Sequence, residues 1–571
     1  MFLGVSSPIS VVPQPRQVRV GDGDFVWPSR VRIALSGRVG RNVPEVLRAY
    51  LTENGVTAAT AGQSAASVAL QVANPYDPRL GSEGYALEAR SNGVTMRANT
   101  ERGLFYALQT FEQVSTRSRH RFATRAVTIV DWPAYRWRGI HLDVARHFFS
   151  VPVIERYIDV AAHYKLNIFH WHLTDDGAWR LHSDRYPALT GGHRYYSTAN
   201  VRAVVAYAAR RYVTVVPELE MPAHAGAAVR AYPRLACSGE TLCTRGAGLA
   251  FARGVLADAI AEFPSAYVHT GGDEVPVPAL YAQPQFTRDI ESYLESRGRR
   301  LVGWDDIFTP QLSPRTVVMV WTSQTRGATA ARHGNDIVLA TGPLYFDGAQ
   351  GDATQEPPAS RHMSTLEEVY DYGVVPAGLS AAEASHVLGG QANVWTEHIA
   401  TPQHLFYMTL PRELALAEVV WTPRKAKNWN SFLTRLPAQF TWLHAHRYPF
   451  RIPNASFALS GGPTIFTAEP GHVQSVDAWT AARAVTVRLS VPLAGAVIHY
   501  TTGGARPSRR SHAYEGPFVL RLGRVPVRLR AAAFLRGRAG SVTECTIAAS
   551  SPAVMRAHWH ASASWSALVS P

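Results

Sequence analysis

Short β-branched runs alternate with amphipathic stretches through the middle of this chain, and that alternation predicts its architecture. Between residues 135 and about 448, eight runs read as strands: 139–143, 167–173, 214–218, 267–271, 300–304, 317–321, 336–340 and 387–395. Each is separated from the next by enough chain for a helix. Eight β/α repeats over roughly 250–400 residues suit a (β/α)₈ TIM barrel, whose catalytic groups belong at the C-terminal ends of the strands. Ahead of it, Tyr85-Ala-Leu-Glu-Ala and Gly93-Val-Thr-Met-Arg-Ala read as a hairpin turning at Ser91-Asn92-Gly93. Leu104, Leu108 and Phe111 then recur at helical spacing within residues 101–114. Beyond a Pro- and Gly-containing stretch near 453–470 the period changes to two. Residues 485–491, 496–501, 518–522 and 527–533 alternate between turn residues, which predicts a small β-sandwich. The expected organisation is an N-terminal α/β accessory domain (8–131), the barrel (132–452) and a C-terminal β-sandwich (470–548). The Ala- and Ser-rich tail after Cys545 is expected to be disordered.

Length and composition fit that plan. A chain of 571 residues exceeds what one core supports. Its 46% hydrophobic and 18% charged residues are those of a globular protein. No apolar run is long enough for a membrane span, and the start shows no basic region leading into a long apolar one. The net charge of +14 raises the question of nucleic acid. Lys165, Lys425 and Lys427 are the only lysines, however, and arginine is scattered without a dense basic run interleaved with aromatics. Nucleic acid is therefore not an expected partner, and the oligomeric state is left open. Cys237 and Cys243 stand close enough to bridge a loop, which would imply an oxidising compartment, or to remain two thiols. With a leader removed, such a bridge would place the protein outside the cytoplasm.

The most telling residues follow the fourth run. His269-Thr-Gly-Gly-Asp-Glu274 ends a strand in two glycines and two adjacent carboxylates. Glycines permit a sharp turn and close approach of a ligand, and neighbouring carboxylates disfavour each other's ionisation, so one can hold a proton near neutral pH. Trp304, Trp321 and Trp395 each close a barrel strand, and indole faces suit the C–H face of a sugar. Glu397 shares a side of extended chain with Trp395. His170 and His172 point the same way from their strand, as metal ligands would; with Asp175, His224, His269 and Asp273 nearby they support an alternative, a metal-dependent amidohydrolase-like enzyme. A non-catalytic glycan-binding protein is a third reading, opposed by retention of Asp273, Glu274 and Tyr345.

Six motifs resemble those of family 20 glycoside hydrolases, the β-N-acetylhexosaminidases, and occur in that family's order. They are Arg138-Gly-Ile-His-Leu-Asp-Val-Ala-Arg146, Asn167-Ile-Phe-His-Trp-His-Leu-Thr-Asp-Asp176, Val216-Pro-Glu-Leu-Glu-Met-Pro-Ala-His224, His269 to Glu274, Gly303-Trp-Asp-Asp306 and Gly390-Gln-Ala-Asn-Val-Trp-Thr-Glu397. Glu83-Gly-Tyr through Gly103–Thr110 resembles the family's accessory domain, and Ile498-His-Tyr-Thr-Thr-Gly-Gly504 the sandwich appended to some chitobiases. The resemblance implies an exo-acting, retaining enzyme that removes terminal β-linked N-acetylglucosamine or N-acetylgalactosamine without a cofactor or metal. Most retaining glycosidases set two carboxyls ~5–5.5 Å apart, but in this family the substrate's own acetamido oxygen attacks. Glu274 would then be the acid and base, Asp273 the group that orients the acetamido N–H, and Tyr345 the donor to the attacking oxygen. Arg138, Asp175, His224, Trp304, Trp321, Asp347, Trp395 and Glu397 would bind the sugar. Arg138 stands at the start of its strand, so its assignment rests on resemblance alone, whereas Asp143 and Arg146 read as a buried structural pair. The chain departs from the family pattern at Glu220 (usually Asp), Ala223 (usually Gly), Gly177-Ala178 (usually Gln-Gly) and Asp306 (usually Glu).

Overall fold

A computed structural model describes residues 9–549, apart from 62–66, 119–120, 278, 352, 461–463, 468–474, 481, 492, 494, 524 and 536. At its centre eight strands close a barrel: β1 (Trp137–Asp143), β2 (Ile168–His172), β3 (Thr214–Glu218), β4 (Tyr267–His269), β5 (Arg300–Trp304), β6 (Val317–Val320), β7 (Ile337–Leu339) and β8 (Val387–Ala392). They pair in chain order, all parallel, and β8 returns to β1 with Gln391 opposite Gly139. The interior is filled by Ile168, Val216, Val302, Val317, Met319 and Val338, with Trp137 among them and Trp304 at the far end. It is a packed core, so any site must lie in the loops beyond the strands.

The strands were expected from β-branched runs, and each run holds one, often ending earlier than the run. Trp321 and Trp395 therefore stand just past β6 and β8, in loop conformation. One expectation fails. Between β5 and β6 there is no α-helix, only a single 3₁₀ turn, Asp305–Ile307. That connection contains Pro310 and Pro314, whose missing N–H groups and fixed φ work against a helix.

The N-terminal residues form an eight-stranded mixed sheet. Its hairpin pairs Tyr85–Arg90 with Gly93–Ala98, and its helix Glu101–Val114 is capped by Thr100, which accepts from Gly103 N at 3.2 Å. This sheet and the barrel belong to one compact unit, Met1–Asp347 with Leu366–Arg435.

The second unit, Gly348–Thr365 with Leu436–Pro571, holds a three-stranded sheet and a larger one that share a core of Val485, Val487, Leu489, Ile498, Leu529 and Ile547. Its strands start at Ser456–Ser460, earlier than the sequence reading placed them. The expected disordered tail is also shortened, because Thr543–Ala549 is a paired strand. The remainder of that tail lies outside the described residues. Cys237 and Cys243 form a disulfide, and Cys545 is buried in the sandwich core. Among the described residues no helix is long and apolar enough to cross a membrane.

Candidate active site

The chain turns sharply after β4. Gly271 and Gly272 adopt φ of +62° and +93°, a region L-residues avoid. A β-carbon on Gly271 would fall 1.7 Å from a Glu220 oxygen, and one on Gly272 would meet Ile307 at 2.3 Å. The turn leaves its two carboxylates differently exposed. Asp273 goes inward with its side chain 15% exposed, while Glu274, at φ +50°, is 62% exposed.

One histidine joins them. His224 follows β3 at φ +50°, with Nε2 at 3.7 Å from Asp273 and 3.4 Å from Glu274. Its Nδ1 faces Asp175 at 3.6 Å and Asp176 at 3.4 Å. Burial works against charge on His224, but the two aspartates outweigh it and push the ring up to about 11. Burial pushes Asp273 up to about 7, against the pull of charged His224. Asp175 is held well below the usual carboxylate range: burial opposes its charge, but His172 and His224 bond it and Arg146 adds its charge.

Beneath lies a second, fully buried network. Glu218 on β3 is hydrogen-bonded to His172 at 2.5 Å, and ring nitrogens of His269 at 2.6 Å, His170 at 3.0 Å and His141 at 3.8 Å stand around it. Burial drives His170 down to about 3 and His141 down to about 4, so both are neutral. His172 overcomes burial through Glu218 and Asp175 and rises to about 10. One buried anion is thus matched by one cation and oriented by neutral rings. His141, His172 and Glu218, or His170, Glu218 and His269, are close enough together to share a metal ion. His170 and His172, the basis of the metal alternative, are thus turned toward this glutamate.

Three tryptophans line the opposite wall. Trp304 packs its ring 4.8 Å from His269 and 5.6 Å from Trp395, and Trp321 and Trp395 pack on the same apolar cluster. Trp321 is held by its Nε1–H, which donates to Asp306 at 2.7 Å, so the shorter Asp306 side chain still reaches a partner. Tyr345, after β7, donates its hydroxyl to the Trp321 carbonyl, and burial pushes that hydroxyl up from its ordinary value. Asp347 is buried nearby, and Glu397, 44% exposed, is raised by burial against the pull of Arg146.

Two expectations change. Arg138 lies at the entry end of β1, not at the site. It is fully buried and spends its guanidinium on Glu83 at 2.8 and 3.1 Å, the Tyr106 hydroxyl and the Tyr135 and Lys165 carbonyls. No donor remains for a sugar. Arg146, read from sequence as half of a structural pair with Asp143, forms that pair at 3.3 Å and is at the site as well. It also meets Asp175 at 2.8 Å and Glu397 at 3.7 Å and lies over Trp395 at 5.4 Å. Its place beyond the C-terminal end of β1 was the available signal. Glu220, noted in the sequence only as a departure from the family pattern, is at the site too. It is buried with neither carboxylate oxygen hydrogen-bonded, and burial, Asp273 and Glu218 all push it well up, so it is a neutral acid beside Asp273.

The arrangement brings together a carboxyl pair of unequal exposure, a charged histidine bridging them, an aromatic wall and an Arg–Glu rim for hydroxyls. That combination is chemically suited to acid-assisted cleavage of a glycosidic bond in an apolar-faced sugar pocket. Comparison with known proteins agrees. The family described as "Glycosyl hydrolase family 20, catalytic domain" matches residues 135–286 and 278–424, and that family's domain 2 matches residues 8–132. A beta-hexosaminidase of Porphyromonas gingivalis is 32% identical over 565 residues, covering 89% of this chain and 71% of that one. A beta-N-acetylhexosaminidase of Cellulomonas fimi is 32% identical over 467 residues, covering 75% and 93%. Among solved structures, an exo beta-N-acetylglucosaminidase of Vibrio harveyi in complex with N-acetylglucosamine superposes with a TM-score of 0.72 at 27% identity, over 78% of each chain. An N-acetyl-beta-hexosaminidase of Streptomyces plicatus superposes at 0.70 with 29% identity, over 77% of this chain and 96% of that one.

Proposed function

The chain belongs to glycosyl hydrolase family 20, and from that premise we infer that it is an exo-acting β-N-acetylhexosaminidase that hydrolyses glycans ending in N-acetylglucosamine. The observation that carries the mechanism is that Asp273 and Glu274, after the Gly271-Gly272 turn, both reach one nitrogen of His224. Carboxylates gathered on one histidine lie to one side of a bound sugar and do not flank its glycosidic bond as an acid and a nucleophile must. The acetamido group supplies the missing nucleophile.

In the proposed reaction the acetamido carbonyl oxygen attacks the anomeric carbon as the glycosidic bond breaks. Glu274, exposed toward the leaving group, gives its proton to the departing oxygen. Asp273 accepts the acetamido N–H and stabilises the positive charge that grows there in forming the oxazolinium ion. Glu274 then takes a proton from water as that water attacks the anomeric carbon, which restores the acetamide and retains configuration. Tyr345 has one proton to donate, now on the Trp321 carbonyl, so binding redirects it to the acetamido oxygen. Trp304, Trp321 and Trp395 enclose the acetamido methyl and the sugar face. Arg146, Asp347 and Glu397 bind the hydroxyls, and Asp175 with His224 steadies Glu274. The Cys237–Cys243 disulfide supports a place outside the cytoplasm.

The test compares hydrolysis of a chromogenic β-N-acetylglucosaminide with the plain β-glucoside, each with and without EDTA. Cleavage of the acetamido sugar alone, indifferent to EDTA, is expected. Equal rates on both sugars would overturn assistance by the substrate, and loss of activity in EDTA would move the chemistry to the Glu218 histidines.

A further inference from the structure

Arginine is unevenly spread. Residues 475–549 contain eleven arginines, no lysine and three acids, Asp477, Glu515 and Glu544, and so carry more than half of the chain's net charge of +14. Glu544 is already taken, bonding Arg528 at 3.1 Å and Arg530 at 2.5 Å. Four other arginines, Arg506, Arg509, Arg510 and Arg538, are exposed and form no ion pair among the described residues.

These four are held in place by the fold. The loop after the strand Val497–Thr501 is tied to the neighbouring strand Val527–Leu535: Gly504 N donates to Arg528 O at 3.1 Å, and Arg530 Nη1 donates to Gly504 O at 2.6 Å. Thr501 Oγ1 donates to Ala505 O at 2.5 Å, and Ser508 and Ser511 bond each other's backbone. Arg506, Arg509 and Arg510 thus project from a pinned loop. The Arg509 guanidinium reaches the next turn, 3.4 Å from where a β-carbon on Gly537 would stand. Its neighbour there is Arg538, which also lines a surface pocket with His444, Arg447 and Tyr448.

Like charges on neighbouring turns repel, and no acid among the described residues forms an ion pair with them. The pinned backbone also spares a ligand the cost of ordering the loop. Both features fit a ligand that brings repeated negative charge. We propose that this pole of the C-terminal sandwich docks an anionic polysaccharide, a chain bearing sulfate, phosphate or uronate groups, and so tethers the enzyme to such material. A polysaccharide is favoured over nucleic acid because, among the described residues of the sandwich, the exposed large apolar ones are Val497, Val519 and Val525, none of them an aromatic platform for bases. The glycan-hydrolysing activity of the barrel points to the same class of partner.

The experiment uses the full chain and heparin as the anionic polysaccharide, at about 0.15 M salt. The variant R506Q/R509Q/R510Q/R538Q is compared with a charge-matched control, R19Q/R30Q/R32Q/R38Q, which removes four exposed arginines in and just after strands of the N-terminal sheet. The first is expected to bind heparin about tenfold more weakly, the scale of four exposed ion pairs, and the control within about twofold of the parent. Its binding should also depend less steeply on salt, by roughly three in the log–log slope. Both should hydrolyse a small chromogenic acetamido sugar at the parent rate, which separates this proposal from the reaction itself. Equal weakening of both variants would reduce the effect to net charge and overturn the proposal. So would unchanged heparin binding, or displacement of heparin by duplex DNA at a lower concentration of charge.

Discussion

Asp273 and Glu413 are both buried acids pushed upward by burial, yet they have opposite consequences. Asp273 stands at about 7 and must be ionised to accept the acetamido N–H. Its carboxylate is lost as pH falls through that value, so kcat/KM should decline on the acid side. D273N is expected to lower kcat about 10²- to 10³-fold, as for removal of a charge-stabilising partner, and to erase that acid limb. A pH–rate profile of both proteins decides it; an acid limb that survives in D273N belongs to another group. Glu413 lies in the helix Arg412–Trp421, without a hydrogen bond to either oxygen, and burial pushes it up to about 8. Unfolding releases it to its ordinary value of 4.5. The folded state therefore binds the extra proton between those values, and stability falls as pH rises from about 4.5 to about 8. E413Q should remove that decline. Its melting temperature relative to the parent should climb between pH 5 and pH 8, by an amount worth on the order of 2–4 kcal/mol. A constant offset across that range would mean that Glu413 finds a partner in solution.

The first barrel strand has an arginine toward each end, and the two ends do different work. Arg138 locks β1 to Glu83 of the N-terminal unit of sheet, with the Trp421 ring 5.1 Å from its guanidinium. Arg146, in the loop after β1, faces Asp175 and Glu397. R138A strands a buried glutamate and is expected to cost about 3–5 kcal/mol of stability while leaving KM near the parent value. R146A should raise KM about tenfold, the effect of losing charge-assisted hydrogen bonds to hydroxyls, and, because it also leaves Asp143 and Asp175 without their cation, lower the melting temperature as well. A rise in KM confined to R138A would reverse the assignment. This strand also shows what was legible in the sequence. β-branched runs revealed the eight strands because a fully buried parallel strand has to be apolar along its length. The glycines before Asp273 were legible for a similar reason, since only glycine fits under Glu220. The direction of the loop after β1 was not legible. It depends on Asp143 accepting from Ala145 N at 2.8 Å and Arg146 N at 3.1 Å, bonds that exist only once the barrel has set Asp143 in place. The histidines around Glu218 converge on it from β1, β2 and β4, and no spacing in the chain announces that. The absent helix between β5 and β6 was foreshadowed by Pro310 and Pro314, which the count of repeats overrode.

At the scale of the whole molecule, two units have separate cores: the barrel with its N-terminal sheet, and the sandwich built on Val485, Val487, Leu489, Ile498, Leu529 and Ile547. A unit with its own core can unfold on its own, so two-state behaviour is not expected of the chain. Scanning calorimetry should resolve two transitions. Each should respond to one ligand, because a ligand stabilises only the unit whose folded form binds it. N-acetylglucosamine, the reaction product, should raise the transition at which hydrolysis of a small substrate is lost. Heparin should leave that one in place and raise the other. At a concentration about a hundredfold above its Kd the gain is ~2.7 kcal/mol, about 10 °C for a domain the size of the sandwich. In R506Q/R509Q/R510Q/R538Q the heparin shift should shrink while the shift with N-acetylglucosamine persists. A single transition that moves with either ligand would instead show that catalysis and docking share one cooperative body. The arginine pole could then not be altered without retuning the barrel.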